Sequence, residues 1–354
     1  MLEALRAGEP SRLALSAGLG VGYEALGGVP EYRRGRKLLD FARRISDELH
    51  NPYTTALIYG FWAFLDLQCG RIEEGLEHCR NAAVVLREAG SGLAWETVTY
   101  NLLLIWFLGW GGRVHELSEI VRQILDDARS RGDVYADVTI RCFTTAHLVD
   151  LAADNPEKAV EEIAGALLRW PKKHYDLQHF GATFACVECH LYAGRIQEAR
   201  QLMAAEWRRI QSSLLFRKCQ YLRITLLYMR GRIALAEWLG RRTDKSVSIE
   251  AEQQASRLAK IESPWGEALS HMLRAGLCAG RRQTADAIVL LQGAEAALRQ
   301  QDLRLLAAAV RRRRGELEGD KGYALIATAD AFMRAEGIIR PDRMSGMILP
   351  GDWR

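Results

Sequence analysis

Proline is scarce in this sequence, with 8 residues in 354, and three of them follow Asn or Ser, in Asn51-Pro52, Asn155-Pro156 and Ser263-Pro264. That is the position proline takes at the start of a helix. Long apolar runs are missing too. The longest, Leu102 to Trp110, has nine residues, where crossing a bilayer takes roughly 20, so it reads as a buried helix segment and no membrane span is expected. Charge of one sign is also lacking: the net charge is +4, and Lys and Arg are interleaved with Asp and Glu, a pattern that does not call for nucleic acid. Met1 to Ser11 has neither the basic start nor the apolar stretch of a signal peptide, so a cytoplasmic location is expected. Seven cysteines at irregular spacing form no disulfide framework and fit reduced, buried thiols.

What is present is a well-packed composition, 49% hydrophobic and 26% charged, and a recurring turn signal. The signal stands at Gly27-Gly28, Gly70-Arg71, Gly112-Arg113, Asp154-Asn155-Pro156, Gly194-Arg195, Gly240-Arg241 and Gly280-Arg281. Counted from positions 28, 70, 112, 154, 194, 240 and 280, the intervals are 42, 42, 42, 40, 46 and 40. Each signal ends one helical pattern, where glycine can take a left-handed cap, and opens another. Before the turns apolar residues recur three and four apart, as in Leu57, Phe61, Phe64, Leu65 and in Phe180, Phe184, Val187, Leu191. After the turns the pattern is amphipathic, with Leu76, Cys79, Ala83 and Leu86 opposite Glu73, Glu77, Arg80 and Arg87.

The expected fold is therefore all-α: a right-handed superhelical solenoid of antiparallel helix hairpins, tetratricopeptide-like, with a period of about 42 residues. HEAT and armadillo units overlap that period, but the tight small-Gly-Arg turn and the lack of a proline kink favour the tetratricopeptide-like form. Residues 1–336 are expected to form about seven hairpins and a terminal helix, and residues 337–354 a cap or tail. Leu2 to Gly8 reads as the end of a preceding helix, as though the array continued something longer.

Several stretches carry a resemblance: Leu5-Arg6-Ala7-Gly8-Glu9-Pro10, Ala94-Trp95-Glu96-Thr97, Asp176-Leu177-Gln178-His179-Phe180, Leu191-Tyr192-Ala193-Gly194, Ser263-Pro264-Trp265 and Ala329-Asp330-Ala331-Phe332-Met333. Together they resemble the C-terminal helical-repeat region of large bacterial serine/threonine protein kinases, in which a kinase domain and a signal-transduction NTPase module precede the repeats. The resemblance implies a regulatory role beside those domains. The chain itself lacks a kinase's Gly-rich phosphate loop, His-Arg-Asp loop and metal-binding Asp-Phe-Gly. Asp40-Phe41-Ala42 has no catalytic loop upstream, and Gly18-Leu19-Gly20-Val21-Gly22 fails both the dinucleotide and Walker spacings. No catalysis, cofactor or metal is expected.

Four features invite a chemical reading. Cys186-Val187-Glu188-Cys189-His190 matches a haem-attachment pattern, and with His179 it offers zinc donors. It lies inside a first helix, however, and ligands on one straight helix cannot close around a tetrahedral ion, so packed thiols are expected. Arg311-Arg312-Arg313-Arg314 diverges around a helix and reads as a solvated helix end. The aromatic density at Tyr59, Phe61, Trp62, Phe64 and at Trp106, Phe107, Trp110 reads as core, with a peptide-docking stripe as the alternative. Trp95, Arg141, Gln178 and His179, on first helices, are the candidate contacts of a concave groove; Gln178 and His179 have the simpler alternative of bonding the preceding loop. The function read from these signals is a protein-docking and regulatory scaffold with a protein partner or an upstream kinase or NTPase domain. The alternatives are the regulatory end of a kinase and a small-molecule sensor.

Overall fold

The computed structural model describes residues 2–89, 93–171, 173–241, 245–351 and 353. Among these the secondary structure is helical, with no strand. After the short α1 (Leu2–Ala7), helices pack as neighbouring pairs: α2 (Pro10–Glu24) with α3 (Val29–Leu49), α4 (Pro52–Cys69) with α5 (Ile72–Ala89), and α6 (Ala94–Gly111) with α7 (Val114–Ser130). The next pair has a broken first limb, α8 (Val134–Cys142) and α9 (His147–Ala152), against α10 (Pro156–Leu167). Then come α11 (Leu177–Tyr192) with α12 (Ile196–Ser212), a short α13 (Leu214–Lys218), α14 (Gln220–Arg241) with α15 (Lys245–Ala259), and α16 (Pro264–Gly280) with α17 (Thr284–Gln300). Last are α18 (Arg304–Glu318) with α19 (Tyr323–Ala335), and α20 (Pro341–Ile348). No described helix is long and apolar enough to cross a membrane.

The turn chemistry explains the pairing. Pro52, Pro156 and Pro264 each open a helix, as their polar-Pro context predicts. Gly28, Gly70, Gly112, Asp154 and Gly194 all have positive φ, between 59° and 82°. At Gly70, Gly112 and Gly194 the following arginine donates its backbone N–H to a carbonyl one turn earlier, Asp66, Leu108 and His190 respectively, which closes the helix end. The arginine side chains then reach the preceding hairpin: Arg113 Nη2 bonds Glu73 at 2.5 and 2.6 Å, and Arg195 bonds Glu157. The last two marks differ. Gly240 lies within α14, and Gly280 is helical while Arg282, two residues on, takes the left-handed turn with φ 62°. Gly280 is small for a packing reason, since a Cβ there would sit 2.4 Å from the Trp238 ring.

One cluster of buried side chains runs from Ala63 to Trp353, because distant hairpins meet across the inside of the chain. Trp110 Nε1 donates to Tyr221 Oη at 3.1 Å, and Trp265 stacks on Tyr221 with centroids 5.9 Å apart. The turn at Gly112 abuts the backbone of Leu305. Residues 337–351 and 353 pack across this interior: Ile339 N–H donates to Ala152 O at 2.9 Å, Tyr228 Oη to Ile348 O at 2.6 Å, and Arg313 Nε to Leu349 O at 3.0 Å.

The Arg311–Arg314 run overturns the expectation of a solvated helix end. Arg312 and Arg313 are buried, and all four arginines are paired: Arg311 and Arg314 with Glu295, Arg312 with Glu316 and Asp330, Arg313 with Glu316. The divergence around the helix is real, and each direction meets a carboxylate, on α17, α19 or α18 itself.

Candidate functional site

The inner faces of α2, α4 and α6, closed at one end by Phe143, Leu177 and the 215–222 segment, enclose a cavity of about 680 Å³. Glycines set its walls. The Phe61 ring lies where a Cβ on Gly18 would be, at 2.4 Å, and the Tyr100 ring does the same at Gly60, at 2.2 Å. Aromatic rings from one helix thus seat on the backbone of the next, leaving the space between them open. The rim carries exposed apolar side chains from three helices, Leu19, Tyr23, Tyr53 and Trp95, with Trp95 62% exposed. Such a contiguous exposed patch marks a binding surface more often than chance exposure does.

The polar groups of the cavity are largely spoken for. Tyr53 Oη donates to Glu96 at 3.0 Å, Tyr100 Oη to Ala56 O at 2.8 Å, and Thr99 Oγ1 to Trp95 O at 2.9 Å. Burial, with Glu96 beside it, pushes the Tyr53 phenol up, and burial pushes up the Cys219 thiol, so both stay neutral near pH 7. Gln68 is the exception. Its Oε1 accepts the Tyr221 backbone N–H at 3.0 Å, a bond that fixes the amide orientation because a backbone N–H can only donate. The Nε2 group is therefore left as a donor; it is buried and has no partner. An unpaired buried donor costs about 1–3 kcal/mol; Gln68 is 0% exposed, so an acceptor in the cavity reaches Nε2 only when the side chain turns toward it.

The four groove candidates do not come together. Trp95 alone lines this cavity. Arg141 is paired with Asp137 at 3.1 Å and with Glu162, and lines a polar recess beside α7 and α10. Gln178 is buried and donates to Thr139 Oγ1 at 3.1 Å. His179 Nδ1 accepts the Asp176 backbone N–H at 3.1 Å, closing the start of α11, and its ring stacks on Tyr175. The aromatic stripe divides: Trp62, Phe107 and Trp110 are core, whereas Phe61, Phe64 and Trp106 line the cavity.

The Cys186–His190 segment holds its donors apart. Cys189 sits in the main core and Cys186 packs with Val138, Cys142 and Ile163 in a separate cluster, while His190 Nδ1 accepts from Arg195 Nε at 3.2 Å. Burial raises both thiols, Cys186 to about 11 and Cys189 well above its ordinary value. Among the described residues no group of His, Cys, Asp and Glu is arranged to hold a metal ion.

Gln68 was the residue the motifs did not announce. A signal existed: at 61, 64 and 68 it continues the apolar stripe of Phe61 and Phe64, so a polar side chain falls on the inward face. No family model matches this chain, and no curated protein matches it either.

Proposed function

We propose that the chain is a non-catalytic binding and regulatory module. In this reading it is a right-handed superhelix of hairpins about 40 residues long, and the cavity between its first three inner helices takes a small, mainly apolar molecule carrying one hydrogen-bond acceptor. The observation that carries the reading is the cavity itself. Its volume lies within the ~300–1,000 Å³ usual for ligand pockets, its walls are aromatic and aliphatic, and its buried free donor is Gln68 Nε2. An extended peptide along the whole inner face is less favoured, because Trp110, Tyr221, Trp265 and α20 occupy that space beyond the third hairpin.

The absence of kinase and NTPase motifs from the sequence supports a role without turnover, and purified chain is expected to hydrolyse no ATP. A place beside a serine/threonine kinase in a cytoplasmic signalling system rests on the resemblance of the quoted stretches alone. A thermal-shift screen of apolar compounds tests the binding reading: a ligand at 100 times its Kd stabilises the fold by about 2.7 kcal/mol. Ligands with a carbonyl or ether acceptor should lose about tenfold in affinity on Gln68→Met, matching one hydrogen bond, while pure hydrocarbons should not. A screen in which polar compounds alone bind, or in which none does, overturns the reading.

A further inference from the structure

A second concave surface lies behind the cavity wall and goes beyond the reading above. Leu215, Tyr221 and Leu222 line the cavity, while Phe216, Arg217, Arg223 and Leu226 of the same stretch line a groove of about 790 Å³ between α12, α14 and the end of α15. Its lining includes five cations, Arg217, Arg223, Arg230, Arg257 and Lys260, and no carboxylate. Arg230 is engaged, donating to Glu250 at 3.0 Å and standing 4.1 Å over the Trp207 ring. Among the described residues the other four have no ion-pair partner, and all four are exposed.

Elsewhere several converging arginines share a carboxylate: Arg141 and Arg169 on Asp137, and Arg311 and Arg314 on Glu295. Like charges gathered around one groove repel one another and attract a negative ligand. The floor between them is apolar, built from Trp207, Ile210, Phe216, Leu226 and Leu227.

We propose that this groove docks an acidic amphipathic helix of a partner protein, apolar side chains on the floor and carboxylates against the cationic rim. Nucleic acid fits less well: Arg230 already covers a face of Trp207, and Phe216 is buried against Phe180 and Tyr175, which leaves bases without an open stacking platform. A membrane is excluded by shape, since the apolar residues form the floor of a hollow that a flat bilayer cannot reach.

The test uses the full chain and a fluorescein-labelled helical peptide of about 15 residues, leucine at i, i+4 and i+7, glutamate flanking that face and alanine elsewhere, followed by fluorescence anisotropy. Saturable binding is expected, weakening about tenfold between ~50 and ~300 mM salt as the rim charges are screened. Arg217→Glu/Arg223→Glu/Arg257→Glu should weaken it at least about tenfold, Arg217→Gln/Arg223→Gln by an intermediate factor, and a leucine-to-serine peptide of equal charge by about tenfold. The changed side chains are exposed, and circular dichroism melts should coincide with the parent's. Thr99→Trp, which narrows the cavity, should leave peptide binding unchanged, so loss of one site is read separately from the other. No saturable binding by the parent chain, equal binding by the charge-reversed variant, or binding of the serine peptide, single-stranded DNA or anionic vesicles as tight as the leucine peptide overturns the proposal.

Discussion

Gly112 and Gly194 share a left-handed backbone, with φ 70° and 74°, and end equivalent inner helices, yet their surroundings differ. A Cβ at Gly194 meets nothing within 4 Å. At Gly112 it would lie 2.6 Å from the Leu305 backbone nitrogen and 3.1 Å from its Cα. Placing an alanine in this conformation costs about 1 kcal/mol at either site. At Gly112 the obstacle is backbone, which cannot rotate aside, so an overpacking cost of roughly 1–3 kcal/mol is added, for a total of roughly 2–4 kcal/mol. Hydrogen exchange resolves the location as well as the size. Gly194→Ala should lose protection around residues 177–212 only. Gly112→Ala should lose it in two places far apart in sequence, the α6–α7 turn and the α17–α18 turn near Leu305. Equal effects of the two substitutions, or no change near 300–306 in Gly112→Ala, would refute the reasoning that the third and eighth hairpins are pressed together.

Burial alone would raise the Glu188 carboxyl, but Arg232 at 2.6 Å and His147 at 2.8 Å outweigh it and hold it below its ordinary value. A depressed folded-state value means a stabilisation that is present above the unfolded carboxylate's pKa of about 4.3 and lost as the pH falls through the folded value. Glu188→Gln should thus be less stable at pH 7 and lose less stability than the parent on acidification below about 4.3, as followed by urea unfolding. Glu316→Ala leaves buried Arg313 with no carboxylate and Arg312 with Asp330 alone, and is expected to cost roughly 3–5 kcal/mol in the same assay. Gly165 lies inside α10 with open space around its missing Cβ, so Gly165→Ala should be neutral or stabilising by up to about 1 kcal/mol.

Much of the helical framework was legible because its signals are local. Pro52, Pro156 and Pro264 open helices, and Gly28, Gly70, Gly112, Asp154 and Gly194 carry the left-handed turns their spacing suggested. Gly280 was misread because a glycine spared for a tryptophan ring looks, in sequence, like one spared for a turn. The Arg311–Arg314 run was misread for a different reason: Glu295 and Asp330 stand 16 to 19 residues away from the arginines they bind, on other helices. The cavity was out of reach altogether, since Gly18 and Gly60 acquire meaning only when Phe61 and Tyr100 lie across them. Of the groove candidates, Trp95 faces that cavity, while Gln178 and His179 are held by Thr139 and Asp176.

An open, apolar cavity between α2, α4 and α6 should take up a neutral apolar dye, and a titration measures this. N-phenyl-1-naphthylamine is neutral, so the cationic groove does not attract it, and its emission rises in an apolar pocket. The account predicts saturable, roughly one-to-one binding by the parent chain, with quenching or energy transfer from the cavity tryptophans Trp95 and Trp106. Thr99→Trp, which projects an indole into the same space, should weaken binding at least about tenfold while leaving the unfolding free energy within about 1 kcal/mol of the parent's. Binding that is unsaturable, or that Thr99→Trp leaves unchanged, would contradict the account.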